Sequence, residues 1–387
     1  GAGTLTINNT TTITAPSGFA PALPTVNHSG SSLLNATAAT AVTILNGTTW
    51  NWVGDFGTNF TSITNDGTLN IGGVANHNTP ANITNNAGKT INWSEGVIDN
   101  NGGGQTLTNH GIFNLIGNNP NNVYCNMPII NTGAMSKTAG TLAIVQNIDN
   151  QAGGTITLSA GATFTFTTGN LTQNGTFTVD GLLILNGGSH VFNPNLAGAG
   201  TLTINNTTTI TAPSGFAPAL PTVNLLFATL NASAATDLTI LNGTTWTWAG
   251  DFGANFTSII NDGILNIAGN SNHDTPANIT NNAGKIINWT NGGLDNNGGG
   301  QTLTNHGIFN LIGNNPNNVF CNMSIINTGT VNKTTGTLSF FQPFNNQSTG
   351  SINGQGTLTF NSTFTNDGLI APGLSPGIIV LNRTAGI

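Results

Sequence analysis

Residues 1–27 of this chain recur without change as residues 198–224. LNGTTW ends at Trp50 and again at Trp246, and NNGGGQTLTNHGIFNLIGNNPNNV runs from Asn100 to Val123 and from Asn296 to Val319. The offset starts at 197 and becomes 196 after one residue is lost between Asn27 and Thr40. The sequence therefore reads as two tandem copies, 1–197 and 198–387, the second continuous with the first. A shorter unit repeats inside each copy. Examples are Ile63-Thr-Asn65-Asp-Gly67-Thr-Leu-Asn-Ile71 and Leu107-Thr-Asn109-His-Gly111-Ile-Phe-Asn-Leu115. The motif Asn residues stand at 65, 85, 109, 131, 150 and 174, in steps of 19 to 24.

Between these corners the chain alternates, as in Thr4-Leu5-Thr6-Ile7, and a period of two marks half-buried strands. A step near 22 is one coil of a solenoid with two or three short strands per coil. The predicted fold is all-β: a parallel β-solenoid (β-helix) with coils of about 22 residues. A β-sandwich array, with strands spaced by roughly 8–12 residues, leaves a Gly-Asn corner every ~22 unexplained. About 17 or 18 coils at ~4.8 Å predict a rod of roughly 80–85 Å.

Stacking gives a cause for the oddest feature of the composition. Only five Lys and Arg and twelve Asp and Glu occur in 387 residues, or 4% charged. Soluble chains ordinarily carry about 25%. In a stack each outward residue faces its near-copy one coil away, and like charges directly opposite repel. Asn and Thr ladders avoid that and can hydrogen-bond along the stack. The same scarcity weighs against acid–base catalysis, which draws on Asp, Glu, His, Lys and Arg. Five cations cannot build the basic patch that nucleic acid requires. No run approaches the ~18 apolar residues of a membrane-spanning helix, and Gly has no period of three, against collagen.

Near the end stands Phe364-Thr-Asn-Asp-Gly-Leu-Ile-Ala-Pro-Gly-Leu-Ser-Pro-Gly377, followed by Ile-Ile-Val-Leu. This APGLSPG stretch resembles the segment that closes the repetitive part of autotransporter passenger domains. The recurring T-N-x-G coils are similar to those of filamentous-haemagglutinin-like adhesins. The resemblance implies an exported bacterial protein, extracellular or on the cell surface, serving as an adhesin stalk or filament subunit. No outer-membrane barrel follows Ile387 and no signal peptide precedes Gly1, so the expectation is a mature, excised or partial chain. The strand pattern begins at once at Gly1, which predicts head-to-tail stacking of copies. A host or matrix polysaccharide is the other expected partner. Neither nucleic acid nor membrane insertion is expected.

The expected protein is not an enzyme and carries no catalytic, cofactor or metal residues. A glycosidase needs two carboxylates about 5–9.5 Å apart, and Asp55, Asp66 and Asp99, or Asp251, Asp262 and Asp295, can in principle converge. Local turns explain most of them, and Arg383 is the only Arg. The six histidines lack close ligand spacing, so zinc is not expected. Isolated Asp66 or Asp149 can hold a cation only weakly. Cys125 and Cys321, at equivalent places in the two copies, read as buried apolar residues.

Trp50 and Trp52, with Trp246 and Trp248, share a strand face by period two. The reading taken is core packing, and sugar stacking is the alternative. Sequons at Asn8, Asn46, Asn82 and Asn174 mark candidate glycosylation sites. A carbohydrate-binding or carbohydrate-active solenoid and an ice-binding solenoid complete the alternatives. Ice binding suffers from Thr-x-Thr strands that recur too rarely, one short strand per nine coils, to cover a face.

Overall fold

The computed structural model describes residues 1–74, 76–100, 102–117, 124–296, 298–312, 320–372 and 377–381. Residues 373–376 of the APGLSPG segment, and Arg383, lie outside them. The described residues contain no helix. The chain divides into two compact units, Gly1–Gly200 and Thr201–Ile387, within three residues of the repeat boundary. Each is a parallel β-solenoid.

One coil of the first unit runs through Thr68–Ile71, Asn76–Asn78 and Asn82–Asn85 before Thr90–Trp93 opens the next. All three strands pair in parallel with neighbours about one coil away: Thr68 with Thr90, Asn76 with Val97, and Asn82 with Ser62. A nine-stranded sheet, Thr4–Ile7 through Thr176–Val179, gathers one strand from every coil of the unit. In the second unit the corresponding strands, Thr201–Thr211 through Leu369–Pro372, pair in the same way.

Alternation decides which side chains go in. Val26, Trp50, Leu69, Ile91, Phe113 and Met135 stack in register in successive coils and are buried. Such a core is narrow, so every coil contributes a few large apolar groups and the stack supplies the rest of the burial.

The Asn-x-Gly corner has a definite structural job. Asn65, Asn85, Asn109, Asn131 and Asn150 are all fully buried. The first four each donate their amide to the side-chain oxygen of the next at 2.7 Å. The ladder then passes to Gln173, through Asn150 Nδ2 to Gln173 Oε1 at 2.9 Å, and not to Asn174. Asn174 is exposed, because Leu171 and Gln173 take the inward positions of that strand and alternation sends the next residue out. The second unit repeats the ladder from Asn261 to Asn366. Glycine follows because the backbone passes over the coil below. A Cβ on Gly111 would sit 2.4 Å from the carbonyl oxygens of Asn86 and Lys89.

Three polar side chains interrupt the inner apolar column. His28 pairs with Trp52, and Lys137 lies between Leu115 and Leu158. Lys333 takes the matching place beside Leu311 in the second unit. Lys137 Nζ donates to the carbonyl of Gly117, and Lys333 Nζ to that of Leu311 at 3.3 Å. Burial pushes both ammonium groups down to about 8. A buried cation deprotonates more readily because the charged form loses its water.

Candidate binding face

The outward half of the nine-stranded sheet forms two columns. One carries Thr4, Thr25, Thr49, Thr68 and Thr90 in five successive coils, then Ile112 and Ala134, then Thr155 and Thr176. Its neighbour carries Thr6, then five Asn from Asn27 to Asn114, then Ser136, Thr157 and Thr178. The pairing runs through all nine strands without a register shift. No position in either column is charged.

The Asn column is fixed by its own hydrogen bonds. Asn51, Asn70, Asn92 and Asn114 each donate to the Asn one coil below at 2.8–2.9 Å, and Ser136 Oγ donates to Asn114 Oδ1 at 3.1 Å. The second unit has the same face with a less regular first column: Thr201, Thr222 and Thr245, three Ile, then Thr330 and Ser351. Its Asn ladder runs from Asn266 to Asn353 at 2.9–3.3 Å. This corrects the expectation of one Thr strand per nine coils. Seven of the nine strands of this sheet begin with Thr, four of them as Thr-x-Asn from Thr25 to Asn92, and the uneven step hides the column from a search for Thr-x-Thr runs.

No family model, curated protein or solved structure matches the chain.

Trp50, Trp52, Trp246 and Trp248 are each 0% exposed, which corrects the sugar-stacking alternative: no ring face is left for a ligand. Trp52 packs on Phe56 at 4.9 Å between ring centroids and donates its indole N–H to the Gly54 carbonyl at 2.6 Å. Trp248 does the same with Phe252 at 4.8 Å and Gly250 at 2.7 Å. Sequence reasoning missed an exposed aromatic, Phe227. It is 83% exposed, at φ 51°, where the strand bulges. It lines an open cleft of about 360 Å³ with Asn206, Thr229, Asp251 and Ser271. Its only warning in the sequence is that it lies in the divergent stretch after Asn224, where the copies differ.

The carboxylates meet only in part. Asp66 and Asp262 are held at turns by Asn86 and Asn282. Asp55 accepts from the backbone of Asn78, which pairs with Asp99, so an amide separates those two acids. In the second unit the middle residue is Asp274, bonded to Asp251 at 3.0 Å and paired with Asp295. Burial, then the negative charges of Asp251 and Asp295, push the Asp274 carboxyl up. The smaller, electrostatic part of that shift is the cost of stacking like charges, seen where the chain departs from its own rule. Among the described residues no group of three or more His, Cys, Asp or Glu can hold a metal ion, and no helix is long and apolar enough to cross a membrane.

Cys125 and Cys321 are free and fully buried, and burial pushes both thiols up to about 12. The four sequon asparagines, Asn8, Asn46, Asn82 and Asn174, are all exposed. Asn46 accepts from Lys89 Nζ at 3.0 Å and Asn82 from the Thr106 amide at 2.9 Å.

Proposed function

We propose that this chain is a non-enzymatic structural or adhesive solenoid that works outside the cell through a repeated surface rather than a pocket. One observation carries the reading: the same two uncharged outward columns run through the coils of both units. Nothing in such a face can shuttle protons, while its repetition suits contact with an extended partner. The resemblance to exported β-helix adhesins points the same way. Self-association belongs to the proposal, because parallel ladders that pass from coil to coil can pass equally to another copy. Carbohydrate binding is a second reading, favoured by Phe227 and its cleft.

The test is electron microscopy of the purified protein over a range of concentrations, with a panel of polysaccharides assayed in parallel. The expected result is end-to-end assemblies that lengthen with concentration and no released reducing ends. Single particles at every concentration, or sugar release, would overturn it. Retention on a polysaccharide that Phe227→Ala abolishes would favour the second reading.

A further inference from the structure

The two outward columns form a two-dimensional array with fixed spacings. Coils are about 4.8 Å apart, and alternate residues along a strand are about 6.6 Å apart. Because every strand is parallel and in register, a Thr-x-Asn pair recurs in four successive coils of the first unit, from Thr25/Asn27 to Thr90/Asn92. The coil spacing lies near the shorter oxygen repeat of the ice lattice, while the along-strand spacing falls short of the longer one. From this array we infer that the Thr-x-Asn face binds ice.

Four properties of the face support this occupant. The columns are uncharged, so no ion imposes its own hydration geometry on the water. Each Thr offers one hydroxyl and one methyl, which anchors a water and cages its neighbour. The Asn amides are already tied to one another at 2.8–2.9 Å, so they lose little freedom when water orders over them. Preorganisation of this kind lowers the entropic cost of binding. Finally, the face holds no aromatic ring, the platform a crystalline polysaccharide would use.

The first unit is the better binder. Its five consecutive Thr, from Thr4 to Thr90, exceed the three from Thr201 to Thr245. Ile264 keeps a γ-methyl but loses the hydroxyl.

The inference rests on the proposal that the surface is the working part, but its test is separate from assembly. Purified protein is frozen slowly, its partition into growing ice is measured, and thermal hysteresis is read on the same sample. Wild type is expected to enrich in the ice several-fold over an inert protein of similar size and to show hysteresis. Thr68→Tyr/Thr90→Tyr places two bulky groups on the face without touching the core. It is expected to fall to the inert level with an unchanged β circular-dichroism spectrum. Thr84→Tyr, outward on a different strand of the coil, is the control and should bind as wild type does. Exclusion of wild type from ice, or equal partition of the double variant, would overturn the inference. So would retention on chitin or cellulose without partition into ice. End-to-end assembly seen by microscopy without ice partition would sink this inference and leave the structural reading intact.

Discussion

Asn109→Ala is expected to destabilise the first unit by about 3 kcal/mol, because it strands several buried groups at once. Asn109 is fully buried, accepts from Asn85, and donates to Asn131 at 2.7 Å and to the Ala134 carbonyl at 3.1 Å. Truncation leaves the Asn131 oxygen without its donor where water cannot reach it. The fair comparison is Asn92→Ala. Asn92 has the same chemistry and the same kind of ladder, but it lies on the outward face, bonded to Asn70 and Asn114. Water can replace those bonds, so the loss there should stay under about 1 kcal/mol. Denaturant midpoints of the two variants give the answer. Equal losses would mean that the inner ladder is no more than a filler.

Acid is expected to weaken the first unit through His28. Its imidazole is fully buried beside Trp52 and Phe56, with ring centroids of His28 and Phe56 5.1 Å apart. Desolvation lowers its pKa from the ordinary 6.5 to about 4, and the Ser32 backbone and the Asp55 carboxylate offset this only in part. The unfolded chain therefore takes up a proton near pH 6.5 that the folded chain refuses until about pH 4. Stability from this group is complete above about pH 6.5 and falls as the pH drops towards 4, with no further loss below. By linkage the total is on the order of 3 kcal/mol. His77 and His190 are buried and shifted the same way, so they add to the slope. Leu225 occupies the His28 position in the second unit, paired with Trp248. His28→Leu should thus flatten much of the change in denaturant midpoint between pH 7 and pH 4.5. An unchanged slope would rule out His28 as the source.

Much of the architecture was legible in the residues because stacking imposes a period. The coil step, the Asn-Gly corner and the core Trp all follow from alternation and repetition, whereas the burial of the corner Asn came only with the structure. Four things were hidden, for different reasons. The Thr column has a member in seven of the nine coils of the first unit, and coils of 19 to 24 residues blur its spacing. His28, Lys137 and Lys333 sit at inward positions that alternation would give to apolar residues, and only register reveals them. Phe227 stands on a bulge, which breaks the alternation that sequence reasoning relies on. Gln173 belongs with these: its strand enters the ladder one residue earlier than the Asn motif suggests.

The central claim is that charge is scarce because every outward residue faces its counterpart one coil away. Asn70 and Asn92 are such a pair, in register and bonded at 2.9 Å. The most direct measurement is the stability of Asn70→Asp, Asn92→Asp and the double variant at low and high salt. The account predicts that the double variant loses about 0.2–1 kcal/mol more than the two singles together at low salt, with the excess vanishing at about 1 M salt. Simple additivity at low salt, or an excess that salt leaves unchanged, would contradict it.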